Sequence, residues 1–281
     1  MSKRPTRECR LCLNVRPLCK SHFLPKAIYK TLRSSTGPNP NPVLFGTGFG
    51  YQTSEQAQAY LLCEECESRF RKGGEDWVLA NCLRPGGKFP LRDDLYNAAP
   101  VWEDPEIRLY SCNNIPSIAA HSITYFALSV FWRAAVHYWT IGGHPVGIEL
   151  GPYREPLRTF LLGAAPFPRS TSLSVLVWAR NAELMLSPHS GNADGFHYHE
   201  FTIPGMAFML FAGGQLQTEY LSTGLAPAEE KYIIIYPQAE ELHLTQLRDL
   251  YLRRRDGSRG NGRYGSRSAQ AAMKSAISFK F

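Results

Sequence analysis

Two Cys-x-x-Cys pairs, Cys9–Cys12 in "CRLC" and Cys63–Cys66 in "CEEC", constrain this chain more than any other feature. A tight Cys-x-x-Cys turn presents two thiolates to one ion, and two such turns complete the tetrahedral sulfur set that zinc favours. Some fifty residues separate the pairs, more than a ribbon or finger uses, so the intervening loop must hold structure of its own. Chance pairing or redox use of each pair is the alternative, and it explains two copies less simply. A structural zinc ion on Cys9, Cys12, Cys63 and Cys66 is therefore expected. Cys19 is spaced wrongly from Cys12 for a tight knuckle, and Cys82 and Cys112 read as small buried apolar residues.

The chain has 281 residues, 44% hydrophobic and 20% charged, which suits a soluble globular protein of two units or one domain with a small module attached. A formal net charge of +7 is compatible with a polyanionic partner. The opening "MSKRPTR" has no apolar signal region, and the cysteine pattern favours metal over disulfides, so the expected compartment is the reducing cytoplasm. The most apolar stretch, "IPSIAAHSITYFALSVFWRAAVHYW", carries His121, Arg133 and His137. An arginine in mid-span is expensive in a bilayer, so this segment reads as a core helix, and no membrane partner is expected.

Along the chain, Pro25 can open a short helix carrying Ile28, Tyr29 and Leu32. "SSTGPNPNP" reads as a loop, and "VLFGTGFGYQT" as a hairpin or mobile loop rather than a phosphate-binding one. Glu64, Glu65 and Glu67 suit the first turn of a helix opened by the second cysteine pair. Gly73–Gly74 should interrupt that helix, with Glu75 starting another. "RPGGKFPLRDDLYNAAP" looks like a linker. A long helix is expected near residues 117–140 and a second in "YREPLRTFLLGAA". "SLSVLVWAR", "FHYHEFTI", "MAFMLFAG" and "KYIIIYPQ" read as strands, with Asn192-Ala193-Asp194-Gly195 as a turn. A short helix around "AEELHLTQLRDLYLRRR" precedes a Gly/Arg/Ser-rich tail.

The two cysteine pairs bracket "SHFLPK", residues 21–26, and the second pair opens a helix. In this, residues 9–79 resemble the HNH endonucleases, and more closely bacterial HNH-like proteins with a Ser-His-x-x-Pro-Lys phrase. The resemblance implies a ββα-metal, treble-clef-like module in which zinc pins a hairpin against a helix. It implies that His22 is the general base that deprotonates water. It further implies a separate catalytic Mg²⁺ or Mn²⁺, held by the residue before the base and by two helix positions one turn apart. Glu67 matches the first helix position. The chain departs from the pattern at Ser21, where Asp or His is expected, and at Arg71, a cation at the second helix position. Ala57-Gln58-Ala59-Tyr60 stands where an asparagine usually precedes the second knuckle. Glu75 and Asp76 are further carboxylates within reach along the chain.

Two other constellations stand out. His197 and His199 in "HYHE" would share one strand face, with Glu200 opposite and His189 nearby; short His pairs on strands are usually surface polar residues, and these are read so rather than as a second metal site. Arg253, Arg254 and Arg255, followed by Arg259, Arg263 and Arg267 and interleaved with Tyr251 and Tyr264, could bind a phosphate backbone non-specifically or form a solvated helix end and tail. Lys3, Arg4, Arg7 and Arg10 add charge beside the zinc module.

The expectation is an α+β protein: a zinc-stabilised ββα module over residues 1–85, a helix-plus-antiparallel-sheet domain over 100–252, and a basic tail over 253–281. The leading function is a metal-dependent, nucleic-acid-directed phosphodiesterase of the HNH kind, acting on DNA before RNA, in a phage-defence or mobile-element setting. The alternative is a non-catalytic zinc scaffold that binds nucleic acid or a protein.

Overall fold

The computed structural model describes residues 4–33, 40–46, 49–105, 107–181, 183–193, 196–214, 216 and 221–236. The C-terminal helix and the arginines at 253–255, like Asp194 and Gly195 of the expected turn, lie outside the described residues.

The N-terminal part is a three-stranded antiparallel sheet and a helix. Strand β1 (Thr6–Glu8) pairs with β2 (Val15–His22), and the first cysteine knuckle is the turn between them. Helix α1 (Lys26–Thr31) follows Pro25, its N-cap residue, as expected. The glycine-rich stretch forms the hairpin β3 (Val43–Gly46) and β4 (Phe49–Gln52). Strand β5 (Gln58–Cys63) returns to pair with β2, giving the order β1-β2-β5. It runs straight into α2 (Glu64–Phe70), whose N-cap is Cys63. The second cysteine pair therefore sits at a strand-to-helix junction.

The helix does not break at Gly73–Gly74. It widens into a π-helical turn (Arg71–Glu75) and continues as α3 (Asp76–Asn81). The two glycines serve closeness rather than interruption. A Cβ on Gly74 would stand 2.5 Å from the Ser122 carbonyl oxygen, and one on Gly73 2.6 Å from the Tyr125 ring. The supposed linker also holds a helix, α4 (Pro90–Asn97), which Pro90 opens and which buries Leu91 and Leu95.

Beyond it lie β6 (Trp102–Glu103), β7 (Arg108–Ser111), the core helix α5 (Ala120–Val136), a small hairpin β8 (Trp139–Ile141) and β9 (His144–Val146), and α6 (Arg154–Leu161). Strands β10 (Thr171–Trp178), β11 (Leu186–Ala193), β12 (Phe196–Ile203), β13 (Met206–Ala212) and β14 (Tyr232–Tyr236) complete a seven-stranded sheet, ordered β11-β12-β13-β10-β14-β7-β6. The sheet is mixed rather than purely antiparallel, because β10 and β14 run parallel. No helix among the described residues is long and apolar enough to cross a membrane.

Period-two alternation puts Leu173, Val175, Val177, Phe201, Ile203, Phe208, Leu210, Ile233 and Ile235 on one buried face, against α5. Phe201 and Phe208 are directly opposite across β12 and β13 and stack at 4.6 Å between ring centres. Helix α5 meets this face through Phe126 and Phe131. It meets the cysteine-rich part through Tyr125 and Trp132, which stand edge-on to Phe70 at 6.0 Å. One apolar core thus runs from Cys9 and Phe23 through α5 to the sheet. A helix serving two neighbours must be apolar nearly all round, as its sequence is.

Replacing Gly74 with Ala forces a methyl group into the α5 backbone. Overpacking of this kind costs about 1–3 kcal/mol or more, so Gly74→Ala should melt well below the wild type in a thermal scan, whereas an alanine substitution at the open Gly86 is opposed only by its backbone angle.

Candidate metal centre and the polar cluster beside it

The first knuckle is built on Cys9, whose amide donates to Asn14 O (2.9 Å) and whose carbonyl accepts from Leu13 N (2.8 Å). Closing the turn puts Leu13 at φ 62°, the left-handed region that β-carbon sterics disfavour. The second knuckle uses the strand end and first helical turn, so Cys63 and Cys66 lie on one side of the junction. The sulfurs of Cys9, Cys12, Cys63 and Cys66 all lie within 4.8 Å of one another, and Cys12 and Cys63 are 3.9 Å apart. Four thiolates at about 2.3 Å from one zinc ion require S···S separations of roughly 3.8 Å. The cluster therefore fits a tetrahedral zinc ion and could hold one.

The electrostatics of the cluster agree with its chemistry. Cys9 is drawn down to about 4, first by a hydrogen bond from the Cys66 thiol, then by backbone amides of Cys12, Cys63 and Leu11. Cys66 moves up in turn, keeping the shared proton. Arginines surround the sulfurs: Arg4 lies 3.7 Å from Cys19 and pairs with Glu64, Arg16 pairs with Glu65, and Arg158 donates to Leu11 O inside the knuckle (2.6 Å). Cys19 itself is half-buried, and burial raises its pKa. Cys82 and Cys112 are buried, in line with their apolar reading.

A second constellation lies where β2, β5, α2, the π-helical turn and α5 meet. Between Cys19 and Lys20 the β2–β5 register slips, so that Cys19 faces Leu62 while Lys20 faces Tyr60. Such a bulge leaves an extra residue outside the ladder and re-aims the side chains beyond it. Its backbone groups find other partners: Leu61 O accepts from Arg10 N (3.1 Å), and Leu62 N donates to the Ser21 hydroxyl (3.3 Å). The Ser21 hydroxyl in turn donates to the Glu67 carboxylate. The residue before His22 and the first helix position are thus in direct contact. Burial pushes Glu67 up, opposed by Arg133 and by the Ser21 hydrogen bond.

His22 is half-buried at the end of β2, and the Gln58 side-chain amide lies 2.8 Å from its Nε2, a hydrogen bond whose donor depends on tautomer and amide orientation. Burial, then the cations Lys26, Arg133 and Lys20, lower its pKa below 6.5, against the opposing charge of Glu75. The ring is therefore neutral at pH 7. Arg71 is not in this group. It is exposed and pairs with Asp76 at 3.4 Å, its amide bonded to the Glu67 carbonyl where the π-helical turn begins. Glu75 pairs with Arg133 of α5.

Among the described residues, the four cysteines form the one group of three or more His, Cys, Asp or Glu whose ligand atoms converge. The histidines of β11 and β12 do not converge on one point: His197 is exposed, His199 is buried and pushed down to about 4 by burial, and His189 lies 3.9 Å from Glu200. Gln58 and Arg133 are the participants that the sequence did not single out. Arg133 carried a signal, a charge amid an apolar helix; Gln58 carried none.

Purified protein should contain one zinc per chain by elemental analysis, and Cys66→Ser should lose it and melt at lower temperature. Leu13→Gly should bind zinc normally and gain up to about 1 kcal/mol, since glycine takes the left-handed angle without its steric cost; a loss of stability there would contradict the strain assigned to the knuckle.

No protein-family model, curated protein or solved structure matches the chain.

Proposed function

We propose that the N-terminal module is the working part of a nucleic-acid-directed phosphodiesterase of the HNH kind, with zinc as its structural pin. The observation that carries this reading is the contact of Ser21 with Glu67 beside a neutral, half-buried His22. These are the residue before the base, the base and the first helix position. Ser21 and His22 end one strand and Glu67 lies on a helix far from it in sequence, beside a bulge in the paired strand β5 of the sort that re-aims side chains at sites.

His22 is the general base. Oriented at Nε2 by the Gln58 side chain, the neutral imidazole takes the proton of a water whose oxygen attacks phosphorus, as the bond to the leaving oxygen breaks. Lys20 and Lys26, both exposed and both acting on His22, supply positive charge where a phosphate backbone would approach. The hydroxyl of Ser21 and carboxylate of Glu67 are hard oxygen donors, the kind that Mg²⁺ takes as one or two protein ligands while keeping water and substrate oxygens. An Mg²⁺ or Mn²⁺ ion there would stabilise charge on the phosphate and leaving oxygen. DNA is the preferred substrate class in this reading.

The rival reading, a zinc-pinned scaffold that binds without cleaving, is favoured by one feature: Glu75 is already neutralised by Arg133 instead of facing an open site.

Plasmid DNA and single-stranded RNA incubated with Mg²⁺ or Mn²⁺ distinguish the two. Wild type should cleave, and His22→Ala should lose cleavage by at least about 100-fold while keeping its zinc and its melting temperature. Because the folded His22 pKa is depressed, chiefly by burial, the fall in cleavage toward acid should lie at lower pH than a free imidazole would give. Salt-sensitive binding without cleavage would sink the catalytic reading in favour of the scaffold.

A further inference from the structure

Arg133 lies in the middle of the most apolar helix of the protein and is 2% exposed. Its guanidinium spans groups from separate parts of the module. One terminal nitrogen donates to the carbonyl oxygens of both His22 (3.0 Å) and Phe23 (3.1 Å). The other donates to the Glu75 carboxylate and to Ser129 Oγ (3.3 Å). The guanidinium also lies over the Phe70 ring at 4.9 Å, at the end of α2. Its Nε is buried without a hydrogen-bond partner.

A buried ion pair of this kind is a poor choice for stability alone, since apolar side chains of similar volume serve as well or better. What an apolar side chain cannot do is bind two successive carbonyls of a strand end and a carboxylate on a neighbouring turn at once. The planar, forked guanidinium can. The strand end it holds is the one carrying His22, and the turn it holds, through Glu75, is the π-helical one that follows α2.

We propose that Arg133 is a positioning residue for the reaction assigned to His22: from the core helix it locks the strand end, the π-helical turn and α2 into one geometry, so the site is complete only when module and core are docked. The inference rests on the nuclease reading above. It also makes the region beyond residue 100 part of the working site rather than a separate body.

The charges facing His22 are Lys20 on its own strand, Lys26 on α1, Glu75 on the π-helical turn and Arg133 on α5, with the neutral Gln58 on β5. A role confined to packing would change stability without lowering kcat at unchanged KM.

Two variants test the proposal, Arg133→Lys and the paired Arg133→Met/Glu75→Gln, in which no buried charge is left alone. Each is assayed for zinc content, melting temperature, and kcat and KM on duplex DNA with Mg²⁺. In folded, zinc-loaded protein the paired variant should lose about tenfold to a hundredfold in kcat, the scale set by a misplaced catalytic group, with KM little changed. Arg133→Lys keeps the charge but cannot hold both carbonyls, so it should also lose kcat. If the paired variant does not fold, Arg133→Lys carries the test. Wild-type kcat in a folded variant overturns the inference alone. An inactive wild type overturns the nuclease reading and this inference with it.

Discussion

Four thiols cannot be packed within 4.8 Å of one another and all ionise without a cation between them. That constraint organises the N-terminal third of the chain. The link runs from Cys12 to Cys63, 51 positions apart, and closing a loop of that length removes on the order of 4 kcal/mol of chain entropy from the unfolded state. A small domain has about 5–15 kcal/mol of net stability, so a bound zinc would be a large part of what keeps β2, β5 and α2 together. The same link fixes the end of β2 against the first turns of α2, which is where Ser21 meets Glu67.

Two irregularities then do what regular elements could not. The bulge opposite Cys19 and Lys20 frees the Leu62 amide, which Ser21 satisfies, and this turns the serine from a departure in the motif into the link between strand and helix. The π-helical turn adds a residue to the helix between Arg71 and Asp76, and within it Glu75 pairs with Arg133 of α5. That turn depends on close approach to α5: Gly74 lies against the α5 backbone, and no side chain would fit there. Packing, in other words, selects the irregularity, and the irregularity selects which charges meet.

These same places mark where sequence reasoning stopped. The cysteine pairs, α5 and β10, β12, β13 and β14 were legible because each has a spacing tied to one geometry. Gly73–Gly74 read as a helix break because glycine lowers helix propensity, yet here its missing side chain is what allows contact. Helix α4 was hidden behind "RPGG" and two prolines, although Pro90 at a first helical position is helix-compatible. Strand β11 was missed because "LSPHSGNA" lacks alternation; it is held by pairing with β12, where the Tyr198 ring lies across Gly191. The parallel pairing of β10 with β14 is a long-range property that neither strand records alone. His22 and Glu67 were named in advance, whereas Gln58 and Arg133 join them only through the folded geometry.

Charge distribution bears on how a polyanion would meet this surface. The net charge of +7 suggests a broad basic face, but Arg4, Arg16 and Arg158 are engaged with Glu64, Glu65 and Glu155 around the sulfurs. A zinc ion with four thiolates carries two net negative charges, and these arginines are its natural counterions. Exposed ion pairs contribute only about 0–1 kcal/mol each, so their value here is to balance a charged cluster and leave little field for a distant phosphate. Lys20 and Lys26 stand apart from that arrangement and beside His22. Charge at these two lysines would draw a phosphate toward the imidazole, the placement that in-line attack would require if His22 activates the water.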